Sequence, residues 1–179
     1  MNKFSIVETK FKGLVLIKCK KNIDLRGAFI NILDHELQKK LKFKKIYQIN
    51  ISQNLQKGTL RGMHFQKKPF EEEKIIFCLT GRIFDVVIDL RKKSKTYLKY
   101  FTITLEAEKN NMLFIPRGFA HGFQTLTRNT SVIYFHGNKY NSKYQDGIIY
   151  NSKQFNINWP INKKIISNRD KKLSEKYEV

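Results

Sequence analysis

The sequence predicts an all-β domain, built as a sandwich or a barrel. Short runs rich in Val, Ile, Phe and Tyr recur along the chain between clusters of Gly, Asn or Lys, a pattern typical of strands. At least eight such runs fall within 179 residues, the length of one ordinary domain. No linker-like stretch or internal repeat divides the chain, so we expect a single domain over residues 1–179. A jelly roll would protect the sheet edges of such a chain well.

The predicted strands follow one another with short connections. They cover Leu14–Lys18, Lys45–Ile51, Lys74–Leu79, Arg82–Leu90, Leu98–Leu105, Met112–Ile115, Phe119–Leu126 and Ser131–His136. Gly81-Arg82 is typical of a tight connection between two of them. Alternation is clearest where Phe101, Ile103 and Leu105 share one face. The segment after Trp159-Pro160 is polar and is predicted to be irregular, with at most a short terminal helix.

One segment predicts a helix. Leu33, Leu37 and Leu41 recur at a spacing of four, which places them on one helical face. Asp34 is suited to the N-cap position, where its carboxylate can accept a backbone N–H. Glu36 near the start and lysines near the end favour the helix dipole.

The chain is strongly basic, with a formal net charge of +20. Such a charge would suit a protein that neutralises nucleic-acid phosphates. The lysines and arginines are dispersed, however, over Lys10–Lys21, Lys39–Lys45, Arg91–Lys99 and Lys163–Lys176. We therefore interpret the charge as a solvated surface that also attracts an anionic substrate, and we expect no nucleic-acid partner.

The remaining bulk features favour a cytoplasmic protein. No apolar run approaches the ~18 residues of a membrane span, so no membrane partner is expected. The stretch Met1–Ser5 lacks the apolar segment of a secretory signal. Cys19 and Cys78 lie in apolar strand-like runs and are expected to be buried free thiols.

Two glycine-punctuated segments carry the candidate chemistry. They are Thr59–Gln66 and Ile115–Phe123, each of which holds one histidine and one arginine. His64 is a candidate general base, because histidine titrates near working pH. Arg61 precedes it by three positions, and residues at i and i+3 of a regular strand point to opposite faces. Both reach one pocket only if Gly62 breaks the pleat. In a barrel, His121 of the second segment could converge on the same pocket.

The sequence does not favour a metal centre. Metal-binding barrels of this kind present two histidines as H-x-H, but Gln66 stands where the second would be. Glu71–Glu73 offers an uncertain carboxylate and His121 a later histidine, which is an incomplete set for a tightly held transition metal. We therefore expect no metal and no other cofactor. The remaining histidines, His35 and His136, are interpreted as structural or solvated.

Three further positions have a chemical interpretation. The hydroxyl of Tyr134 could act as an acid partner, although a strand tyrosine taken alone more often packs in a core or on a surface. Lys74 begins an apolar strand after three glutamates, and facing inward it would need an anionic partner. Asp85 and Asp89 lie four apart on one strand and share a face, for which we expect a structural role.

Taken together, the chain resembles the nucleotide-sugar epimerases typified by dTDP-4-dehydrorhamnose 3,5-epimerase. The matching pieces are Asp24-x-Arg26-Gly27-x-Phe29, Gln48-x-Asn50, Leu60–Gln66, Gly81-x-x-x-Asp85-Val86-x-x-Asp89-Leu90-Arg91, Ile115–Phe123, Tyr134, Tyr140, Ile157-x-Trp159-Pro160 and Ser167-x-x-Asp170. Each piece is weak alone, but their order and spacing are specific. The resemblance implies a cupin-type jelly-roll barrel with short flanking helices, no metal and a homodimer.

The resemblance also implies roles for individual side chains. His64 would take the proton beside a ketone, with Asp170 holding its ring after the polar tail folds back. Tyr134 would deliver a proton to the opposite face. Lys74, helped by Arg61 or His121, would stabilise the enolate oxygen. Contacts to the nucleotide diphosphate or nearby sugar would come from Arg26, Gln48, Asn50, Tyr140 and Arg169.

The implied function is inversion of C3, C5 or both in a dTDP-4-keto-6-deoxyhexose, for deoxysugar or surface-polysaccharide biosynthesis. Departures from the family pattern at Asn31, Phe135 and Gln145 leave the nucleotide, the sugar and the number of inverted centres open. Two alternatives remain: a 3,4-ketoisomerase on the same scaffold, and a non-catalytic module that binds sugar or nucleic acid. Tyr134 favours epimerisation, and a binding module would need neither an acid nor a base.

Overall fold

The computed structural model describes residues 3–177 and is built mostly from antiparallel strands. The strands are β1 (Phe4–Glu8), β2 (Val15–Cys19), β3 (Lys21–Asp24), β4 (Gly27–Ile30), β5 (Gln48–Asn54), β6 (Leu60–Gln66), β7 (Lys74–Thr80), β8 (Arg82–Asp89), β9 (Tyr100–Glu106), β10 (Asn111–Ile115), β11 (Phe119–Thr125), β12 (Thr130–His136) and β13 (Gln145–Gly147). One helix, α1 (His35–Leu41), and two 3₁₀ turns, Ala107–Lys109 and Asp170–Lys172, complete the elements.

Two sheets face each other and form a cupin-like barrel, which confirms the predicted all-β class. One has six strands in the order β1-β2-β10-β7-β12-β5, and the other has five in the order β13-β6-β11-β8-β9. The core between them takes Ile76 and Val132 from the first sheet and Val87 and Phe123 from the second. Alternate residues of a strand share a face, so their sequence neighbours point to the outer faces.

Both outer faces of the sheets are covered by other parts of the chain. On the six-stranded sheet, Leu37 of α1 packs with Ile75 of β7. On the five-stranded sheet, Trp159 of the C-terminal segment packs with Val86 and Ile88 of β8. Apolar surface is therefore buried on both sides of each sheet.

Helix α1 begins where its sequence predicts. The Asp34 carboxylate accepts a hydrogen bond from the backbone N–H of Leu37 at 2.9 Å, which confirms the N-cap. Lys42 ends the helix in the left-handed region at φ 56°. The helix buries Leu37 completely, while Leu33 and Leu41 pack beside it.

Sequence patterns missed five strands, of which β6 and the hairpin β3–β4 matter for function. Gly62 interrupts the alternation of β6, and β3 and β4 have only four residues each. The hairpin is a separate two-stranded sheet that pairs with neither of the two large sheets. Two of its apolar side chains are exposed, at 74% for Ile23 and 72% for Phe29.

Cys19 and Cys78 are buried free thiols, as predicted. Burial raises the pKa of the Cys19 thiol to about 11 and that of Cys78 to about 12. Both therefore remain protonated at neutral pH. Within residues 3–177, none of the helical segments has the length and apolar character needed to cross a membrane.

Candidate active site

A cavity of about 610 Å³ lies between the two sheets. Its walls come from β5, β12 and the start of β7 on one side, and from β6 and β11 on the other. Eight of the predicted site residues line it: Gln48, Asn50, Arg61, His64, Lys74, His121, Tyr134 and Tyr140. The arrangement puts residues from distant parts of the chain around one space.

Strand β6 carries an extra residue where it faces β11. Arg61 is paired with Phe123 and His64 with His121, so two residues of β6 stand opposite one residue of β11. This is a β-bulge, which bends the strand and redirects its side chains. Because of the bulge, Arg61 and His64 both line the cavity although they lie three positions apart. The break in the pleat that the sequence requires is therefore present.

Gly62 makes this bulge possible. Its φ of 118° belongs to a region that residues with a Cβ rarely adopt. A Cβ at Gly62 would lie 2.5 Å from the Cα of Gly122 and 2.8 Å from the carbonyl oxygen of His121. The two backbones approach so closely that only glycine fits at the bulge.

His64 forms a dyad with Asp170. Its Nε2 lies 2.9 Å from Oδ1 of Asp170, and Oδ2 accepts the backbone N–H of Gly62 at 3.0 Å. Burial alone would raise the pKa of Asp170, but the hydrogen bonds from His64 and Gly62 hold that pKa below its usual range. The ionised carboxylate accepts Nε2–H, which leaves Nδ1 as the ring nitrogen with a free lone pair. This is the arrangement of an oriented general base.

A second dyad, formed by His121 and Asp85, is buried deeper. Nε2 of His121 lies 2.8 Å from Oδ2 of Asp85, and both side chains are almost completely buried. Desolvation raises the pKa of Asp85, although the neighbouring imidazole opposes the shift. The interpretation of Asp85 as merely structural was incomplete, because its carboxylate orients a ring that lines the cavity.

Tyr134 belongs to the opposite sheet. Its ring meets His121 edge to face, with centroids 6.2 Å apart. Burial, assisted by the carboxylate of Asp85, raises the pKa of Tyr134, so the phenol stays protonated at neutral pH. The cavity therefore has a candidate base on the wall of β6 and a protonated hydroxyl on the wall of β12.

Lys74 has the anionic partner that its inward position requires. Its Nζ lies 2.9 Å from Oε1 of Glu72, while Nδ1 of His136 lies 2.9 Å from Oε2 of the same carboxylate. Burial alone would raise the pKa of Glu72, but Lys74 and His136 hold it below its usual range. The sequence does not reveal this unit, and the interpretation of His136 as structural or solvated was incomplete, because its ring lines the cavity. A signal was available, since His136 follows Tyr134 by two positions and shares its strand face.

The other polar groups of the wall are linked to one another. Nε of Arg61 donates to Oδ1 of Asn54 at 2.9 Å, which fixes the guanidinium beside the cavity. Gln48 donates to Oδ1 of Asn50 at 2.9 Å on β5. These hydrogen bonds hold donors in place before any ligand arrives.

Gln66 stands where a metal-binding barrel would have its second histidine, and its side chain forms hydrogen bonds to a neighbouring loop. Its amide donates to the carbonyl of Lys139 at 3.1 Å and accepts the N–H of Asn141 at 2.7 Å. It thereby anchors the loop that carries Tyr140. Within residues 3–177, no three His, Cys, Asp or Glu side chains are grouped in a way that could hold a metal ion.

Two predicted residues are not brought to the cavity within one chain. Arg26 lies at the exposed tip of the β3–β4 hairpin, where it pairs with Asp24 at 2.6 Å. Arg169 is exposed next to the 3₁₀ turn that carries Asp170, and its side chain is outside the cavity lining.

Known proteins are similar to this chain in fold and in sequence over nearly its whole length. The family model for dTDP-4-dehydrorhamnose 3,5-epimerase matches residues 8–177. The enzyme of that name from Shigella flexneri is 33% identical over 168 residues, which cover 93% of this chain and 92% of the relative.

Solved structures agree with this result. The dTDP-4-dehydrorhamnose 3,5-epimerase from Sulfolobus tokodaii has a TM-score of 0.89 and 40% identity, covering 97% of this chain and 95% of its own. The enzyme from Bacillus anthracis, solved with TDP and PPi bound, has a TM-score of 0.91 and 34% identity, covering 95% and 98%. The chain described here therefore belongs to the dTDP-4-dehydrorhamnose 3,5-epimerase family.

Proposed function

We propose that this protein is a nucleotide-sugar epimerase that inverts C3, C5 or both of a dTDP-4-keto-6-deoxyhexose in deoxysugar biosynthesis. The observation that carries the proposal is the pairing, across one cavity, of the His64–Asp170 dyad with the protonated hydroxyl of Tyr134. Inversion at carbon needs a base on one face and an acid on the other. Family membership supports the same reaction.

In the first step, Nδ1 of His64 takes the proton from the carbon beside the ketone. The electron pair of the broken C–H bond forms a C=C bond, and the carbonyl oxygen becomes an enolate oxyanion. Lys74 donates a hydrogen bond to that oxyanion, with Arg61 or His121 as a second donor. Such preorganised donors lower the barrier because the charge develops where they already point.

In the second step, the hydroxyl of Tyr134 gives its proton to the opposite face of the same carbon. The enolate collapses to the ketone, and the carbon is inverted. The raised pKa of Tyr134 keeps its proton in place until the strongly basic enolate carbon accepts it. His64 then loses its proton to solvent and Tyr134 regains one, so the atoms balance without a cofactor.

The nucleotide end of the substrate has its own proposed contacts. We propose that Gln48, Asn50 and Tyr140, at the edge of the cavity, meet the nucleotide diphosphate or the adjoining sugar. Arg169 and Arg26 would reach the diphosphate from outside this cavity. The dispersed charge of +20 favours the approach of such an anion.

Arg26 can act in this way in a homodimer, which we propose as the assembled state. The exposed apolar hairpin β3–β4 is suited to pack on a second copy and carry Arg26 to that copy's cavity.

Light scattering is expected to give about twice the 21.3 kDa of one chain, and Phe29→Lys is expected to yield monomers. Arg26→Ala should stay dimeric with an increased KM. A monomeric wild type would contradict the proposal.

The chain is further proposed to work as one domain over residues 1–179 in the cytoplasm. The two unpaired thiols of Cys19 and Cys78 suit a reducing compartment.

Proton NMR in deuterated water tests the reaction directly, with dTDP-4-keto-6-deoxyglucose as the substrate. Deuterium entering at both C3 and C5 is the expected result for a 3,5-epimerase. Exchange at C3 alone would mean a 3-epimerase or a 3,4-ketoisomerase, which the position of the product carbonyl distinguishes. A complete lack of exchange would overturn the proposed function for this substrate.

Replacing Lys74 with alanine is expected to reduce kcat by on the order of 10²–10³-fold, the usual effect of losing one oxyanion donor. KM should change little, because the enolate charge is absent from the bound ground state. Steady-state kinetics and a melting curve make the measurement. Lys95→Ala, which removes an exposed lysine outside the cavity, is the matched control. Near-normal turnover in a folded Lys74→Ala protein would exclude Lys74 from the mechanism.

A further inference from the structure

Glu72 holds two side chains of the cavity wall at once. Oε1 lies 2.9 Å from Nζ of Lys74, and Oε2 lies 2.9 Å from Nδ1 of His136. The side chain of Glu72 is 9% exposed, that of Lys74 is 12% exposed and that of His136 is 15% exposed. A pair so far removed from water is held more firmly than a surface ion pair.

The His136 ring is fixed on three sides. Besides its bond to Glu72, it stacks on the ring of Tyr134, with centroids 5.8 Å apart and planes 16° apart. Its Nε2 faces the amide nitrogen of Asn50 at 3.4 Å. Nδ1–H then donates to Glu72 and Nε2 accepts from Asn50, which is one consistent tautomer. Glu72 therefore contacts Lys74 directly and reaches Tyr134 through a stacked ring.

We propose that Glu72 is a positioning residue for the epimerisation, acting through Lys74 and His136. One carboxylate oxygen aims the Lys74 ammonium, and the other clamps the His136 ring against which Tyr134 packs. This inference takes the roles of Lys74 as oxyanion donor and Tyr134 as proton donor from the proposed function, and it rests on that function. One carboxylate would thus set both the oxyanion donor and the proton donor.

Charge and geometry explain why the ion pair with Glu72 does not prevent Lys74 from donating to the enolate oxygen. An ammonium has three donors, so the bond to Glu72 leaves two for an enolate oxygen. A long lysine stem samples many rotamers when unpaired, whereas catalysis by oxyanion stabilisation needs a donor already in place. Removing the negative charge would leave a more positive cavity, so binding of an anionic substrate should not weaken.

Glu72→Gln tests the inference, because it keeps the shape and removes the charge. We expect kcat to fall by on the order of 10²-fold, the scale of a misplacement of about 1 Å, with KM unchanged or lower. The adjacent Glu73→Gln is a matched control: Glu73 is also buried and ion-paired, with Arg117, but lies outside the cavity lining. Its kcat should equal that of the wild type.

Ring ¹⁵N NMR of the ligand-free protein gives a second measurement. Glu72→Gln should shift the Nδ1 signal of His136 and leave that of His64 unchanged, while Glu73→Gln should shift neither. A structural role alone would lower the melting temperature and kcat together in both variants, and that result would overturn the inference. So would a wild-type kcat in Glu72→Gln.

The two proposals can fail separately. If the wild type shows no exchange with dTDP-4-keto-6-deoxyglucose, the proposed function fails, and the ¹⁵N measurement alone decides whether Glu72 positions His136. An unshifted His136 signal in Glu72→Gln would then overturn the inference. If the wild type exchanges but Glu72→Gln retains full kcat, only the positioning role is lost.

Discussion

Replacing His64 with asparagine is expected to abolish deuterium exchange at the sugar carbons and to reduce kcat by about 10²–10⁴-fold, the range that a positioned general base supplies. Asparagine can still donate to Asp170 but cannot take a proton from carbon at neutral pH. Tyr134 and Lys74 on the other wall remain in place, so substrate should bind nearly as before. NMR of the substrate in deuterated water measures exchange, and calorimetry with dTDP measures binding.

The matched control for this change is His35→Asn. His35 begins α1 and is exposed, outside the cavity, so exchange should match that of the wild type. If His64→Asn bound dTDP and still exchanged within about fivefold of the wild-type rate, His64 would not be the base. Another group on the wall of β6 or β11 would then have to take the proton.

The parts of the fold that the sequence predicted depend on local patterns. Strands such as β8 and β11 have apolar residues on both faces, and α1 has a capping aspartate, Asp34, before its apolar spacing. Strand β6 is not predicted from the alternation of apolar and polar residues, because Gly62 interrupts that alternation. The strands β3 and β4 are not predicted because four mostly exposed residues leave no period of burial to detect.

The site was predictable where its residues carry recognisable motifs, and unpredictable where it depends on pairing between strands. The glycine-punctuated segments identified His64 and His121, whose opposition across β6 and β11 needs the register of the sheet. The carboxylate partners of His121 and His136, which are Asp85 and Glu72, come from a different strand and from a loop. No spacing in the sequence fixes such contacts.

The contact between His64 and Asp170 spans 106 positions. The resemblance to the epimerase family predicts this contact, and the path of the C-terminal segment explains how it forms. The tail runs beside the start of β6, where the N–H of Ile165 donates to Gly58 at 3.0 Å and the carbonyl of Ile165 accepts from Leu60 at 2.9 Å. From that bridge, Ser167 and the following 3₁₀ turn bring Asp170 to the bulge.

The bulge is thus the point at which fold and chemistry depend on the same residue. Gly62 allows Arg61 and His64 to face one cavity, and its N–H binds the carboxylate that holds His64. We expect Gly62→Ala to lower the free energy of unfolding by about 3 kcal/mol or more, because strain at positive φ costs about 1–3 kcal/mol and the Cβ adds a steric clash. We also expect a loss of activity on the order of 10²-fold or more, since the dyad would shift.

Gly27→Ala separates the two causes. Gly27 has a similar φ of 126°, but a Cβ there meets nothing within 4 Å, so only the backbone strain of about 1–3 kcal/mol applies. Urea unfolding of both variants therefore measures the contribution of the close approach between β6 and β11. Equal destabilisation of the two variants would mean that the backbone of β11 yields at Gly122. If Gly62→Ala also kept wild-type exchange, the bulge would not be what holds His64 in its catalytic position.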